Sequence, residues 1–267
     1  MLSAGFFIDP FTGLQTMGAK NLSGLTKSQA GTVKVMSYNI HHGEGYDGVL
    51  DLERIAKIIE VEEAELIGLQ EVDNHWSERS NFEDQAKWLA ERLGMYYVYA
   101  ANLDLEPATD GEPRRQYGTA ILSSYPILKF ENHPLTKIGN TEQRSLLEAT
   151  IHVKGSLIRF YNTHLALTAA ERERQIKEIV SITEVSEGPR VIVGDFNTVP
   201  ESSEMQHMYI DYFDVFKDNP EPTFSASKPT QRIDYIFTST YVKTIEAEVI
   251  KTDASDHLPI TAEIEIE

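Results

Sequence analysis

The chain has 267 residues, of which 42 are acidic and 24 basic, giving a formal charge of −18. Apolar residues make up 41% and aromatics 9%, enough for a sizeable core, which excludes a disordered acidic tail. No apolar run approaches the roughly 18 residues of a membrane helix, and the charge disfavours holding nucleic acid on a broad basic face.

Cysteine is absent, which removes disulfides, thiolate metal sites and cysteine nucleophiles and leaves the compartment open between cytoplasmic and secreted. Residues 1–30 lack a basic n-region, and Gly5-Phe6-Phe7-Ile8 is too short for a signal-peptide core. They read as a poorly ordered N-terminal extension ahead of a domain over 31–267.

Val33-Lys34-Val35-Met36-Ser37-Tyr38-Asn39 opens with a two-residue period and predicts a strand. A Gly-rich loop follows, His41-His42-Gly43-Glu44-Gly45 and onward to Gly48. A helix is expected from Asp51, with Leu52, Ile55, Ile58 and Ile59 on one face. Residues 66–70 form an apolar strand ending at Glu71. Ser80-Asn81-Phe82-Glu83 has the capping-box pattern and predicts a helix with Phe82, Ala86, Leu89 and Leu93 inward, stopped by Gly94. Residues 95–101 read as a strand and 106–115 as a loop. Four strands, 118–123, 127–134, 145–153 and 157–162, then suggest an antiparallel meander. A second capping box at Thr168 and Glu171 opens a helix that buries Ile176, Ile179 and Val180. Residues 190–194 make a strand that stops at Asp195, and 233–238, 242–250 and 259–265 complete the set. Mixed strands and helices without a linker favour one α/β domain.

The polar residues sit where strands stop. Asn39, Glu71, His164, Asp195 and Asn197 follow strands, and Asp256 and His257 precede one. Strand ends gather at sheet rims, so residues distant in sequence can share one site. Carboxylate and carboxamide oxygens suit a hard cation such as Mg²⁺, and imidazoles beside them suit proton transfer or phosphate contact. His41 and His42 lie on the loop after Asn39. Neighbouring side chains there are expected to diverge, which favours loop packing or substrate-rim contact over a shared ion.

Six strings occur in order: Val35-Met36-Ser37-Tyr38-Asn39, Gly68-Leu69-Gln70-Glu71-Val72, Tyr161-Asn162-Thr163-His164-Leu165, Gly194-Asp195-Phe196-Asn197, Arg232-Ile233-Asp234-Tyr235-Ile236 and Ser255-Asp256-His257-Leu258-Pro259. Together they resemble the endonuclease/exonuclease/phosphatase (DNase I-like) superfamily, across residues 33–266. The resemblance implies a four-layer α/β/β/α sandwich of two packed mixed sheets with its site at one rim. It implies metal-assisted phosphoester hydrolysis by in-line water attack, with Mg²⁺ as cofactor and Mn²⁺ as a substitute. By position, Glu71, Asn39 and Asp256 match metal-side groups. Asp195 and Asn197 match the pair that handles the attacking water and a phosphate oxygen. His257 with Asp234 matches a histidine–aspartate pair acting as general base or electrostatic stabiliser, and His164 matches the second histidine. Tyr117 and Arg144 stand where phosphate contacts are expected. Thr119 replaces the Asn of many bacterial relatives, which weakens polar support for His164.

The substrate is less legible. Arg114-Arg115, Lys137 and Arg144 are the clearest basic elements, too few for a phosphate-tracking surface. A small phosphodiester is therefore favoured over nucleic acid, with a DNase-like endonuclease as the alternative. A phosphomonoesterase or a sphingomyelinase-like lipid headgroup hydrolase stands behind both. No transmembrane segment is expected, and the expected state is a monomer.

Overall fold

The computed structural model describes residues 31–266 and, before them, Phe7–Ile8 paired antiparallel with Gln15–Thr16. The extension expected over 1–30 otherwise lies outside the described residues. Alternating apolar residues build four strands first: β1 (Thr32–Asn39), β2 (Leu66–Asn74), β3 (Tyr96–Leu105) and β4 (Arg115–Ser123). Six more follow: β5 (Ile127–Pro134), β6 (Ser145–Val153), β7 (Ser156–His164), β8 (Arg190–Asp195), β9 (Phe213–Asp214) and β10 (Asp234–Thr238). The chain then returns with β11 (Val242–Val249) and β12 (Ile260–Ile266). One sheet has the order β11-β12-β1-β2-β4-β3 and the other β9-β10-β8-β7-β6-β5.

Two pairings are parallel, β1 with β2 and β7 with β8. Parallel neighbours need a crossover, and a helix supplies each one. α1 (Leu52–Val61) joins β1 to β2, and α3 (Ala169–Glu184) joins β7 to β8. Asp51 caps α1 by accepting from the Glu53 amide, and Ile55, Ala56 and Ile59 face inward. Thr168 caps α3, as its capping box predicts. No helix among the described residues is long and apolar enough to cross a membrane.

The layers follow from three apolar clusters. Val33, Val35, Leu66, Leu147, Phe160 and Val193 meet between the sheets. Met36, Ile67 and Leu122 face α1 and α2 (Gln85–Leu93), and Tyr161, Ile192 and Phe237 face α3. The expected four-layer sandwich of two mixed sheets is what forms.

One polar pair crosses the apolar interface. Asn162 of β7 donates through Nδ2 to the carbonyls of Leu69 and Ala120, each at 2.8 Å, and accepts from Gln70 Nε2 at 2.7 Å. Gly68 makes room for it: a Cβ there would lie 2.3 Å from Val193 Cγ2 and 2.9 Å from the Asn162 carboxamide.

Three local expectations need correction. The capping box at Ser80 does not start α2, because the Ser80 hydroxyl is spent on Asp73 Oδ2 at 2.7 Å, and Asp84 caps the helix instead. Phe82 is therefore outside the helix and 42% exposed. β4 belongs to the first sheet, so only β5, β6 and β7 form the second sheet's meander. Finally, β2 does not stop at Glu71. It runs on to Asn74 through a register shift between Leu69 and Val72, with Glu71 at φ 58°.

Gly68→Ala is expected to lower unfolding stability by about 1–3 kcal/mol, since the methyl must displace Val193 or Asn162. Urea denaturation followed by circular dichroism measures it; an unchanged midpoint would mean that the sheets can part without cost.

Candidate active site

Strand register assembles the site. In the first sheet Asn39 pairs with Gln70, so Asn39 and Glu71 emerge side by side at one rim. In the second, Asp195 pairs with His164 on one side and with Asp234 on the other. His257 arrives from the segment before β12, where it bridges to Phe224 and packs its ring 4.7 Å from the Phe224 ring.

Asp195 is the junction of these groups. Its Oδ2 accepts from Asn39 Nδ2 at 3.1 Å and lies 3.4 Å from His164 Nε2 and 3.7 Å from His257 Nε2. The same Asn39 nitrogen reaches Glu71 Oε1 at 3.1 Å, so one carboxamide spans both sheets' carboxylates. Asn39 turns its nitrogen to them because its Oδ1 is occupied by the His41 backbone amide, at 3.1 Å. Asn197 closes the turn after β8 in a left-handed conformation. Its amide donates to Asp195 Oδ1 at 2.8 Å and its side chain to the Leu165 carbonyl at 2.9 Å.

His257 Nδ1 faces Asp234, 3.0 Å from Oδ2 and 3.2 Å from Oδ1, and Thr223 donates its hydroxyl to the same carboxylate. Burial opposes protonation of His257, yet the Asp234 and Asp195 carboxylates outweigh it and hold its pKa above the usual imidazole value. His164 goes the other way. Burial, the Arg144 charge and His257 push it well below that value, so it is a neutral ring. Burial pushes the Asp195 carboxyl up, and Asp234 adds to this while His257 opposes it. His164, His257 and Asp195 are thus shifted in different directions by their surroundings.

Arg144 is 5% exposed. Its Nη1 lies 2.8 Å from Glu142 Oε1, but neither Nε nor Nη1 has a directed hydrogen-bond partner. A buried cation with unspent donors suits an anionic group. Tyr117 is also buried, and burial and the Glu71 charge push its phenol upward, so it stays a hydroxyl. Its ring meets Trp76 at 5.9 Å and the Arg79 guanidinium at 5.4 Å. Thr119 Oγ1 is buried without a partner and gives His164 no hydrogen bond, as its identity suggested.

Among the described residues, two groups of three side chains offer ligand atoms within 4.8 Å of one another: Asp195, Asp234 and His257; and His41, His42 and Glu71. Asp256 belongs to neither. It lies beside His257, with its Oδ1 3.4 Å from the Ser255 hydroxyl. The convergence of His41 and His42 overturns the expected divergence. Both residues are left-handed, at φ 44° and 45°, and this turn brings their rings to 4.5 Å where an extended chain would point them apart. Sequence reasoning also missed Glu142, Trp76 and Arg79. Only the proximity of Glu142 to Arg144 in sequence signalled any of them.

Known proteins resemble the chain in sequence and in fold. The family model described as Endonuclease/Exonuclease/phosphatase family matches residues 36–257. The chain is 26% identical over 266 residues to an uncharacterized protein, YbhP, of Escherichia coli, covering 90% of this chain and 99% of that protein. An endonuclease/exonuclease/phosphatase from Beutenbergia cavernae superposes with a TM-score of 0.76 at 23% identity, covering 88% of this chain and 72% of that one. The Bacteroides thetaiotaomicron mannosyl-6-phosphatase Bt3783 superposes at 0.70 with 19% identity, covering 87% and 99%.

The His257 environment is open to direct measurement. In metal-free protein, Asp234→Asn removes the nearest charge favouring the imidazolium and leaves burial to act, so the His257 pKa is expected to fall. Imidazole ¹⁵N chemical shifts followed against pH read this; a pKa that does not move would place the stabilising charge elsewhere.

Proposed function

The chain belongs to the endonuclease/exonuclease/phosphatase family of phosphoester hydrolases, and on that premise we propose that it is a divalent-metal-dependent phosphodiesterase acting on small substrates. One observation carries the reading. A single buried acceptor, Asp195 Oδ2, faces the Asn39 amide and both histidines, while the same amide touches Glu71 on the opposite sheet.

Glu71 fits a hard cation. It is a half-buried carboxylate whose Oε1 takes a hydrogen bond from Asn39, and carboxylate oxygen is the donor Mg²⁺ prefers. Glu71 would hold the ion; Asn39, its Oδ1 taken by the His41 amide, would steady Glu71 through its Nδ2, and Asp256 would add negative charge on the metal side. Bound there, Mg²⁺ or its substitute Mn²⁺ supplies positive charge to phosphoryl oxygens.

The remaining roles fall to the chain's own groups. Asp195, its carboxyl raised by burial, orients the attacking water and accepts its proton. Asn197 holds the turn that aims Asp195 and would contact a phosphate oxygen of the bound substrate. His257 is held cationic by Asp234, so it serves as the electrostatic stabiliser of charge at phosphorus and not as the base. Neutral His164 offers one N–H toward the phosphoryl or leaving oxygen. Arg144, with unspent donors, and Tyr117 meet the phosphate from the other side.

The surface supports a small diester over a duplex. Arg114, a candidate phosphate tracker, is bound to Asp104 at 2.7 Å and Glu106 at 2.6 Å. Arg79 is held by Asp73 at 2.7 Å. A formal charge of −18 adds long-range repulsion of polyanions.

EDTA is expected to abolish hydrolysis of bis-p-nitrophenyl phosphate, and Mg²⁺ or Mn²⁺ to restore it. His257→Ala and Asp195→Asn should each lower turnover by about 10²–10⁴-fold with unchanged circular dichroism. Full metal-dependent rate in either variant would sink the assigned roles. Rates on p-nitrophenyl phosphate and plasmid DNA, run alongside, decide the substrate class. Faster monoester cleavage would favour a phosphomonoesterase, and plasmid nicking at low enzyme concentration would favour the endonuclease reading.

A further inference from the structure

The loop between β1 and α1 carries chemistry that the hydrolytic roles above leave unused. His41 and His42 stand beside Glu71, with one ligand atom from each of the three within 4.8 Å of the others. From this geometry we infer that His41, His42 and Glu71 form an imidazole-rich site for a borderline transition-metal ion of the Zn²⁺ or Co²⁺ class. The inference rests on the reading of Glu71 as a metal-side carboxylate and adds two nitrogen donors to it.

The supporting contacts around the rings are those of ligating histidines. A metal-bound imidazole uses one nitrogen for the ion and commits the other to a carbonyl or carboxylate, which fixes its tautomer. Glu44 does this for His41 and places its carboxylate near His42. Its backbone carbonyl lies 3.1 Å from His41 Nδ1, which leaves His41 Nε2 for a ligand. Its carboxylate Oε2 lies 3.7 Å from His42 Nε2, and His42 Nδ1 is buried with no hydrogen-bond partner. His42 is 7% exposed, so this open nitrogen cannot be satisfied by bulk water.

The backbone is held to this shape from several sides. The His41 amide donates to Asn39 Oδ1, and the His42 carbonyl accepts from Gln85 Nε2 at 2.6 Å. Gln85 in turn accepts from the Asp73 amide at 2.9 Å, tying the loop to β2. Two successive non-glycine residues at positive φ, followed by Gly43 at 82°, are a conformation that costs energy and persists only when surroundings impose it. Two imidazoles with one carboxylate shift preference away from Mg²⁺, which favours an all-oxygen shell, toward ions that accept nitrogen.

The test measures metal binding by itself. Zn²⁺ affinity is read by competition with a chromophoric chelator, and Co²⁺ binding by its visible absorption, in the apo full-length protein and in His41→Asn, His42→Asn and Glu71→Gln. Asn removes the imidazole while tolerating the left-handed backbone, and circular dichroism with a thermal midpoint checks the fold. Each His variant is expected to lose at least about tenfold in Zn²⁺ affinity and the Co²⁺ absorption with it, while Mg²⁺ affinity by calorimetry is unchanged. Glu71→Gln should lose both metals. Wild-type Zn²⁺ affinity in the two folded His variants would overturn the inference, because the ion would then sit elsewhere, such as at Asp195, Asp234 and His257. Its failure is separable from that of the functional reading. Mg²⁺-restored diester hydrolysis with histidine-independent Zn²⁺ binding overturns only this inference; histidine-dependent Zn²⁺ binding without diester hydrolysis overturns only the former.

Discussion

The hydrogen bonds of Asn162 across the sheet interface are what the rest of the structure depends on. Apolar packing between two sheets is non-directional and would tolerate sliding. Asn162 spends both amide protons on Leu69 and Ala120 and its oxygen on Gln70, so the sheets lock at one lateral position. Gln70 precedes Glu71 and pairs with Asn39, while Asn162 lies two residues before His164. A slip at this point would separate Asn39 from Asp195, whose 3.1 Å contact joins the two halves of the site. The Asn162 amide is satisfied on every side, and the cost of the lock falls on its partner Gln70, whose Oε1 is buried without a hydrogen-bond partner.

The electrostatics of the rim build on that lock. His164 and His257 are both buried beside Asp195, yet they do not behave alike. Burial disfavours the charge on both rings; at His257 two carboxylates outweigh it, and at His164 the Arg144 and His257 charges add to it. The difference comes from neighbours more than from depth, because both rings are removed from water to a similar degree.

Much of this was legible in sequence. Alternation at 33–39 and the apolar runs before Glu71 and Asp195 located strands, and strand ends located the rim. Of the residues in the six strings, Asn39, Glu71, His164, Asp195, Asp234 and His257 lie in one chain of close contacts at the rim, and Asp256 lies beside His257 with its Oδ1 near Ser255. What escaped was conformation that a residue pattern does not encode. Glu71 sits within a continuing strand because β2 shifts register there, a tertiary choice made against β4. The Ser80 capping box failed because Asp73 competes for the same hydroxyl. Adjacent histidines converge only because both adopt positive φ, which local propensity disfavours and contacts to Asn39 and Gln85 enforce. The membership of β4 in the first sheet turns on pairing between distant strands, for which alternation holds no information.

The return of the chain to its first sheet has a consequence for synthesis. β12 pairs with β1, and His257 precedes β12, so the first strand formed waits for the last. A chain emerging from the ribosome folds from its N-terminal side. It presents Asn39 and Glu71 early, completes the second sheet through β10, and only afterwards gains the histidine that faces Asp195. Until then β1 carries an open edge that could pair with another chain. The growing polypeptide thus lacks His257 and is at its most vulnerable to misassembly over the same interval, and the strand that covers the edge follows directly behind that residue.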